Sequence, residues 1–504
     1  MNDADVIVVG AGPVGLMLAG ELCLAGLHPL VLERRPQRRD IPKAGGVGGR
    51  ILDVLRYRGM LERFEAASAR PAPAPRFPFG GLHLDFSHLT DSPMAALPLA
   101  QPRLEHLLED YATQRGAEIR RGHEVTGLRQ DDDAITAEVH GQGGRYRLTA
   151  PYLVGCDGPR SRVRDLAGIP FPGTTYPEVN RVGQVTIPEP VTVLDNGDLD
   201  VRGGGRIQAG FTRTERGVFG LGARASETLF LYTSEDESTA YDDDAPMPLA
   251  ELQDSITRVL GVHLPLGEPR RLSRFTFQAR HAARYREGRV LLAGDAAHLF
   301  PATGVALNAG MLDAVNLAWK LGATVHGWAP PGLLDTYHRE RHQAGARTLL
   351  HTQAQVALRR GLDPAADALR ELFEEVVADE QPLRRMGALL AGSDIRYGGT
   401  GEHPLTGTFA PDLTLHTGQG TTSVARLMRP ARPVLLDLAG RRDLREAARD
   451  WRPRVEIYTA KTGQPPADAI LIRPDAHIAW SATGEDTDAS TLPEALSGWF
   501  GAPS

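Results

Sequence analysis

Residues 5–15 read DVIVVGAGPVG, an apolar β-type run that passes directly into glycines spaced as Gly-x-Gly-x-x-Gly. A helical stretch rich in alanine and leucine follows, and a second apolar run ends at Glu33. In this pattern Gly10 makes a tight turn, Gly12 lets a pyrophosphate approach the backbone, and Gly15 lets the helix pack on the strand. The free N–H groups at the helix start bind the anion. The sequence therefore predicts a nucleotide-binding βαβ unit.

The acidic end of the second apolar run completes this unit. Glu33 lies roughly 20 residues after the glycines, where a carboxylate at the end of the second strand accepts the ribose hydroxyls. Pro13, Val14 and Arg34 adjoin these positions and are counted among the predicted nucleotide contacts. A glycine-rich turn before an ordinary helix is the alternative, but it leaves Glu33 unexplained. We therefore predict an ADP-binding site.

The length, composition and net charge limit the classes of protein to which the chain can belong. A chain of 504 residues is too long for one hydrophobic core, so two or three domains are expected. The charged content of 24% and hydrophobic content of 41% are typical of a soluble globular protein. A net charge of −7 argues against nucleic acid or an anionic membrane as the main partner. With no long apolar stretch and no room for a signal peptide before the first strand, we expect a cytoplasmic protein that binds a small molecule.

The residues that most often bind metals give no metal site in our interpretation. Two cysteines, Cys23 and Cys156, cannot form a disulfide framework or a zinc site. We interpret both as buried, unreactive thiols. The sixteen histidines are interpreted as having no paired ligand spacing, such as His-x-x-x-His on one helix, and therefore as forming no metal site.

Changes in sequence pattern divide the chain. Residues 1–175 are predicted to form the first part of the nucleotide-binding domain, with 71–100 contributing to a second sheet. Residues 176–275 contain strand-like runs separated by turn residues and predict a mostly antiparallel substrate-binding sheet. Residues 276–400 are predicted to return to the first domain with additional helices, and 401–504 to form a separate small α/β domain.

Two further acidic motifs end predicted strands. Asp157-Gly158 follows one apolar run, and Gly294-Asp295 follows another. An aspartate at a strand end caps the next helix in the simplest interpretation. It also accepts hydrogen bonds from the hydroxyls of a ribityl chain.

With these three motifs in this order, the chain resembles the single-component (group A) FAD-dependent aromatic hydroxylases, typified by para-hydroxybenzoate hydroxylase. More narrowly, it resembles the subgroup that oxygenates aromatic polyketides. The resemblance covers most of residues 1–400 and implies an α/β fold with a discontinuous Rossmann-like FAD-binding domain. It also implies FAD, NADPH or NADH as reductant, and dioxygen. One oxygen atom would pass from the flavin C4a position to a polycyclic aromatic substrate, by hydroxylation or Baeyer–Villiger insertion.

The resemblance also implies residue roles along the cofactor. Arg50 would lie beside the phosphates, Gln101 on a helix facing the flavin, and Asp157 near the flavin or NAD(P)H. Asp295 would bind the ribityl chain or pyrophosphate. The loop lining the isoalloxazine ring would contain Pro301, Gly304, Leu307 and Asn308. This loop departs from the family's Gly-Gly-Gln-Gly pattern and keeps one of those glycines.

Few side chains are obligatory in chemistry that centres on a flavin. His298, Pro301 and Arg213 are the catalytic candidates, although we interpret His298 as bonded to the backbone and Arg213 as a solvated surface residue. The substrate cavity is expected between the flavin domain and the antiparallel sheet. Its candidate wall comprises Phe79, His83, Phe211, Phe219, Leu221 and Tyr232. Core packing of the sheet is the alternative for each of its apolar members.

Residues 405–504 resemble the thioredoxin-like domain of the polyketide subgroup. They contain no Cys-x-x-Cys, so dithiol chemistry is excluded, and packing or a homodimer contact is expected. Two alternatives to a monooxygenase stay open. One is a flavoprotein of the same fold that catalyses a non-oxygenating step such as dehydration or rearrangement, and the other is a non-catalytic protein that binds FAD or a ligand.

Overall fold

The N-terminal part of the chain supplies most of a parallel sheet and its covering helices. The computed structural model describes residues 2–38, 44–68, 72–73, 76–224, 228–237, 245–302, 304–360, 363–398, 403–484 and 491–503. The strands of this part are β1 (Val6–Val9), β2 (Pro29–Glu33), β3 (Val47–Gly48), β4 (Ala72–Pro73), β5 (Arg76–Phe79), β6 (Leu82–Asp85), β7 (Ala95–Leu97), β8 (Glu118–Arg121), β9 (Glu124–Gln130), β10 (Ile135–Gly141), β11 (Gly144–Ala150) and β12 (Tyr152–Gly155). The helices are α1 (Pro13–Leu24), α2 (Arg50–Tyr57), α3 (Leu61–Ala67), α4 (Gln101–Thr113) and α5 (Arg162–Leu166).

The middle of the chain is dominated by antiparallel strands. These are β13 (Gly173–Thr186), β14 (Val191–Val193), β15 (Leu199–Val201), β16 (Gly205–Ile207), β17 (Gly210–Thr214), β18 (Gly217–Arg224), β19 (Thr228–Asp236) and β20 (Pro269–His281). Helix α6 (Leu249–Leu260) packs on one face of them.

The next part returns to the first domain and then becomes helical. It contains β21 (Arg286–Glu287), β22 (Val290–Leu292), a 3-10 turn at Gly294–Ala296 and β23 (His298–Leu299). Its helices are α7 (Ala306–Val325), α8 (Asp335–Arg360), α9 (Pro364–Ala378) and α10 (Glu380–Ala391).

The central sheet has five parallel strands in the order β22-β12-β1-β2-β8, and β21 adds an antiparallel edge. Helix α1 lies between this sheet and helices α4 and α7, so it is apolar on nearly every side. Gly20 permits the close approach of α4, because a Cβ there would lie 2.4 Å from the Tyr111 ring. Since the strands are parallel, their carboxyl ends meet at one edge, where ligands bind in sheets of this kind.

The inserted sheet has two faces with different neighbours. Its strands pair antiparallel in the order β17-β18-β19-β13-β20-β23. Side chains alternate between the faces along each strand. On the face toward α6, Phe219 and Leu231 pack with Leu252 in a buried cluster. Phe211 and Tyr232 lie on the opposite face.

Residues 71–100 were expected to extend this inserted sheet, and in their described part they do not. β5 and β6 form a separate hairpin, while β7 pairs with β3 on one side and with β4 on the other. Their backbone hydrogen bonds are therefore satisfied outside the inserted sheet. Among the described residues, no helix combines the length and the apolar character needed to cross a membrane.

The C-terminal part forms a small α/β domain. Its strands are β24 (Thr414–Thr417), β25 (Gly420–Ser423), β26 (Val434–Asp437), β27 (Glu456–Thr459), β28 (Ala469–Ile472) and β29 (Ile478–Ala482), and its helices are α11 (Val424–Leu427), α12 (Arg442–Ala447) and α13 (Thr491–Phe500). Four strands form a mixed sheet in the order β27-β26-β28-β29. Trp319 of α7 packs into its hydrophobic cluster, and Tyr57 donates a hydrogen bond to the Ala410 carbonyl at 2.7 Å. The domain is thus docked on the nucleotide-binding domain.

Candidate functional site

A cleft of about 870 Å³ runs along the carboxyl ends of the parallel strands. This volume is near the upper end for small-molecule sites. Because β1, β2, β12 and β22 all end at this edge, residues far apart in the sequence line one cavity. The predicted cofactor residues that line it are Gly10, Gly12, Pro13, Val14, Glu33, Arg34, Gln101, Asp157, Asp295, Gly304, Leu307 and Asn308.

Each glycine of the first turn has a different local geometry. Gly10 has a φ of +105°, and a Cβ there would lie 2.5 Å from the Cys156 carbonyl oxygen. At Gly12 an added Cβ would meet no atom within 4 Å, so the backbone is open to the cleft. Gly15 does not line the cleft, and its Cβ would lie 2.0 Å from the Gly10 carbonyl oxygen. The open cradle at Gly12 suits the close approach of a pyrophosphate.

Glu33 is held rigidly at the mouth of this cradle. Its two carboxylate oxygens accept hydrogen bonds from the N–H groups of Ala11 and Arg35, both at 2.9 Å. An ionised carboxylate has about four acceptor positions, so capacity remains for ribose hydroxyls.

Gln101 connects α4 to the segment that covers the cleft. Its Oε1 accepts from the Ala44 N–H at 3.1 Å, and its Nε2 donates to Glu105 at 2.7 Å. The side chain thereby fixes the chain entering β3, which lines the same cleft.

Asp157 both lines the cleft and caps α5. Its carboxylate accepts hydrogen bonds from the Ser161 hydroxyl at 2.5 Å and the Val163 N–H at 3.0 Å. Burial raises the pKa of Asp157 above its usual range. The capping interaction anticipated as the simplest interpretation is therefore present, and a role toward a cofactor stays a prediction.

The turn that carries Asp295 depends on a residue that was not among the predicted site residues. Asp313, in α7, accepts hydrogen bonds from Gly294 N–H at 3.0 Å, His298 Nε2 at 2.7 Å and Arg341 Nε at 2.7 Å. It is completely buried. The available sequence signal was an acidic residue inside an otherwise alanine- and leucine-rich helix.

His298 differs from the expectation that it bonds to the backbone. Its partner is the Asp313 carboxylate, its ring stacks on Phe300, and it does not line the cleft. Only 1% of the residue is exposed, so it lies out of reach of a ligand in the cleft. Pro301 is also buried and away from the cleft lining.

The loop before α7 presents main-chain N–H groups to the cleft. Residues 306–308 form the first turn of the helix, where N–H groups have no partner within the helix. Asn308 secures this turn by donating to the Gly304 carbonyl at 2.9 Å. The positive end of the helix dipole therefore faces the cleft and favours negative charge there.

Arg50 lies in a different place from the one that the resemblance implies. It pairs with Asp53 at 2.8 Å, and its guanidinium lies 4.5 Å from the centre of the Phe409 ring. It lines a second cavity of about 50 Å³ between α7, α10 and the C-terminal domain. Its carboxylate and aromatic partners hold the side chain there, and it does not line the 870 Å³ cleft.

The residues predicted to form the substrate wall do not lie together, because side chains along a strand alternate between the two faces of the sheet. Phe219 and Leu221 are buried against α6, so core packing was the correct interpretation for both. Phe79 is also a core residue, stacked on Phe373. None of the six wall candidates lines the 870 Å³ cleft.

The opposite face of the sheet carries aromatic rings and one basic side chain. Phe211 and Tyr232 meet edge to face with ring centres 6.2 Å apart, across Gly220 between them. His83 lies 6.2 Å from Phe211. Arg213, on the same face, is not the solvated residue we expected: its Nε and Nη2 atoms are buried and have no hydrogen-bond partner among the described residues. Burial lowers the pKa of Arg213.

Both cysteines are free thiols in the structure. Cys156 is a free buried thiol whose pKa is raised by burial, whereas Cys23, also expected to be buried, is only partly buried, and its pKa is raised to about 11 by the same effect. His338 and His342 are four residues apart on α8, so the expectation that the chain has no His-x-x-x-His pair on one helix was wrong. Their neighbour His281 stacks flat on His342 at 3.9 Å, and no group of described residues has an arrangement that would hold a metal ion.

The parallel sheet, the three motifs at its edge and the inserted antiparallel sheet define a FAD-dependent monooxygenase of the aromatic-hydroxylase class. A model of the FAD binding domain matches residues 3–352. A model described as aromatic-ring hydroxylase, C-terminal, matches residues 403–503. The chain belongs to this family of FAD-binding aromatic-ring hydroxylases.

Individual relatives agree over the full length. The chain is 40% identical over 508 residues to the 12-dehydrotetracycline 5-monooxygenase/anhydrotetracycline 6-monooxygenase of Streptomyces rimosus subsp. rimosus, covering 99% of both chains. It is 38% identical over 513 residues to the dialkyldecalin synthase of Streptomyces rugosporus, again covering 99% of both. The solved structure of the OxyS anhydrotetracycline hydroxylase from Streptomyces rimosus matches with a TM-score of 0.88 at 39% identity, covering 99% of this chain and 100% of that one. The predicted family, fold class and FAD-dependent monooxygenase activity are confirmed.

Proposed function

We propose that this protein uses NADPH or NADH and dioxygen to insert one oxygen atom into a polycyclic aromatic substrate of the polyketide type. The observation that carries the proposal is the convergence of the three motifs on one cleft of about 870 Å³. The substrate class is supported by two full-length matches named for tetracycline intermediates.

The residues of the cleft fit FAD. The open backbone at Gly12 and the start of α1 would hold the pyrophosphate, and Glu33 the adenosine ribose. Asp295 would accept hydrogen bonds from the ribityl chain. When bound, FAD supplies the electron and oxygen transfer chemistry. The N–H groups at the start of α7 would stabilise negative charge on the reduced ring.

The substrate would lie against the aromatic face of the inserted sheet. Phe211 and Tyr232 offer flat apolar surfaces for a fused ring system. Arg213 has two buried N–H groups without a described partner, which would donate to a phenolic or enolic oxygen. Pairing would remove the free-energy penalty of leaving those donors unsatisfied.

The test begins with the purified FAD-loaded protein under anaerobic conditions. NADPH and NADH are added separately, with and without a polycyclic phenol such as anhydrotetracycline, and the flavin absorbance band is followed. We expect substrate-dependent bleaching, and after admission of air a product heavier by one oxygen atom. Full flavin occupancy without bleaching by either nucleotide would contradict the proposal.

A non-oxygenating reaction is the second candidate. Two observations favour it: the match to a protein named a synthase, and a flavin loop that keeps only Gly304 of the usual glycines. The same experiment separates the candidates. A product of unchanged mass, formed without consumption of NADPH or NADH, would favour the synthase-like reaction.

A further inference from the structure

A series of buried hydrogen bonds, followed by one ring contact, joins the turn that carries Asp295 to the C-terminal domain. This series begins at Asp313, whose carboxylate accepts hydrogen bonds from Gly294 N–H and Arg341 Nε. Gly294 has a φ of +65°, so the turn has a left-handed start that the Asp313 hydrogen bond helps to fix. The position of the turn therefore depends on the position of Asp313.

Arg341 extends this series of contacts toward the C-terminal domain. Its Nη1 donates to the Tyr397 hydroxyl at 2.7 Å, and the Tyr397 ring packs on His477 with ring centres 4.4 Å apart. Arg341 and Tyr397 are both buried. A buried guanidinium that loses an acceptor bears a large desolvation penalty, so Tyr397 constrains where Arg341 can lie.

The neighbouring residue on α8 makes a second connection to the same domain. Glu340 accepts hydrogen bonds from both terminal nitrogens of Arg473, at 2.6 and 2.8 Å. Arg473 also pairs with Asp475, which accepts from Asn316 of α7 at 2.9 Å. Removing one partner from a buried, hydrogen-bonded ion cluster is strongly destabilising. Helices α7 and α8 are therefore firmly tied to the segment Arg473–His477 of the C-terminal domain.

The backbone of this segment has an unusual conformation at one residue. Ala476 has a φ of +63°, a left-handed conformation that side-chain-bearing residues rarely adopt, and it is buried. Strain of this kind persists where the surrounding structure over-determines it. The segment is therefore a rigid anchor rather than a loosely packed connection.

We propose that the C-terminal domain positions the cofactor-binding turn, because its segment Arg473–His477 fixes Tyr397 and Arg341, and Arg341 orients Asp313 against Gly294. Asp313, Arg341 and Tyr397 are positioning residues that do not touch the cofactor. The proposal rests on the proposed role of Asp295 in binding FAD. It gives the thioredoxin-like domain a function in cofactor binding that needs no thiol chemistry.

The test compares the full-length Tyr397→Phe and Tyr57→Phe variants. Each loses one buried tyrosine hydroxyl at the C-terminal domain, but the Tyr57 hydroxyl donates to the Ala410 carbonyl rather than accepting from Arg341. FAD dissociation constants are measured by flavin fluorescence, and melting temperatures on the FAD-free proteins. We expect Tyr397→Phe to weaken FAD binding about tenfold, within the usual range of coupling between sites. Tyr57→Phe should lower the melting temperature similarly and change FAD affinity less than twofold.

Hydrogen exchange of the FAD-free proteins gives a second readout that does not depend on affinity. Amides of residues 290–298 should exchange faster in Tyr397→Phe than in the wild type, and those of β1 should not change. Equal weakening of FAD binding by both variants, or unchanged affinity and exchange in Tyr397→Phe, would overturn the proposal.

The Asp295→Asn variant distinguishes this proposal from the proposed role of Asp295 in binding FAD, on which it rests. If Asp295→Asn weakens FAD binding and Tyr397→Phe does not, the role of the C-terminal domain is wrong and the cofactor site stands. If Asp295→Asn has no effect on FAD binding, both fail together. Neither readout involves turnover, so failure to insert oxygen is a separate result.

Discussion

Asn308 accepts a hydrogen bond from the main-chain N–H of Gly48 at 3.1 Å, although the two residues are 260 positions apart. The same side chain donates to the Gly304 carbonyl at 2.9 Å. One amide therefore ties the loop before α7 to β3, and both line the cleft. It needs both an acceptor and a donor, which few side chains provide.

The first prediction concerns this amide. Asn308→Asp keeps an acceptor for Gly48, removes the donor to Gly304 and places a negative charge beside the predicted flavin ring. Reduction adds negative charge there, so we expect the flavin midpoint potential to fall by on the order of 30 mV, which is about 1.4 kcal/mol for two electrons. Equilibration with a reference dye measures it. An unchanged or higher potential would place the flavin ring elsewhere.

The second prediction separates two glycines of the same turn. Gly12→Val adds atoms where the structure is open, so the FAD-free protein should melt within about 2 °C of the wild type, since less than 1 kcal/mol is involved. Its FAD content should nevertheless be lost. Gly10→Ala instead forces a left-handed residue against a carbonyl oxygen and should destabilise the fold by about 1–3 kcal/mol or more. Thermal melts and flavin absorbance measure both effects, and a Gly12→Val protein that retains FAD would contradict the prediction.

The third prediction uses the two faces of the inserted sheet. Phe219 is fully buried against α6, so Phe219→Ala should cost about 3–5 kcal/mol of unfolding free energy. Phe211 is 40% exposed on the other face, and Phe211→Ala should change stability little. We expect it to raise the KM for a polycyclic substrate about tenfold, equivalent to about 1.4 kcal/mol. Urea unfolding and steady-state kinetics test the pair, and an unchanged KM would remove Phe211 from the substrate wall.

The fourth prediction concerns acid stability. Burial, together with the nearby Arg347 cation, lowers the pKa of His351 to about 4. The unfolded chain has a histidine pKa of about 6.5, so the unfolded state binds more protons between these values. The contribution of His351 to the free energy of unfolding is therefore complete above pH 6.5 and declines as the pH falls from 6.5 toward 4.

Urea unfolding at pH 7.5 and pH 5 measures this effect. His351→Leu should lose about 1–2 kcal/mol less stability between the two pH values than the wild type does. His416 is exposed, and His416→Leu provides the control, with the pH dependence of the wild type retained. An identical pH dependence in His351→Leu would show that another group governs acid unfolding. His281, whose pKa burial lowers to about 3, is the next candidate.

Local sequence predicted the elements whose chemistry lies within a short stretch. The glycine turn, Glu33 and the two strand-ending aspartates were identified because each follows a strand and because turn geometry and anion binding restrict the residue types. The position of Arg50 could not be predicted in this way, since Asp53 is a local partner on α2 but the Phe409 ring belongs to the C-terminal part of the chain. The same holds for His298, whose partner Asp313 is provided by a helix that begins after the flavin loop.

By itself, the sequence determined the family, the parallel sheet and many of the residues that line the cleft, because parallel strands bring their carboxyl ends to one edge whatever the details of packing. Only the tertiary structure decided which face of the inserted sheet each aromatic residue occupies, since a shift of one residue in register moves a side chain to the other face. It also decided that Asp313, Arg341 and Tyr397 form one buried path, because hydrogen bonds between distant elements depend on how those elements pack.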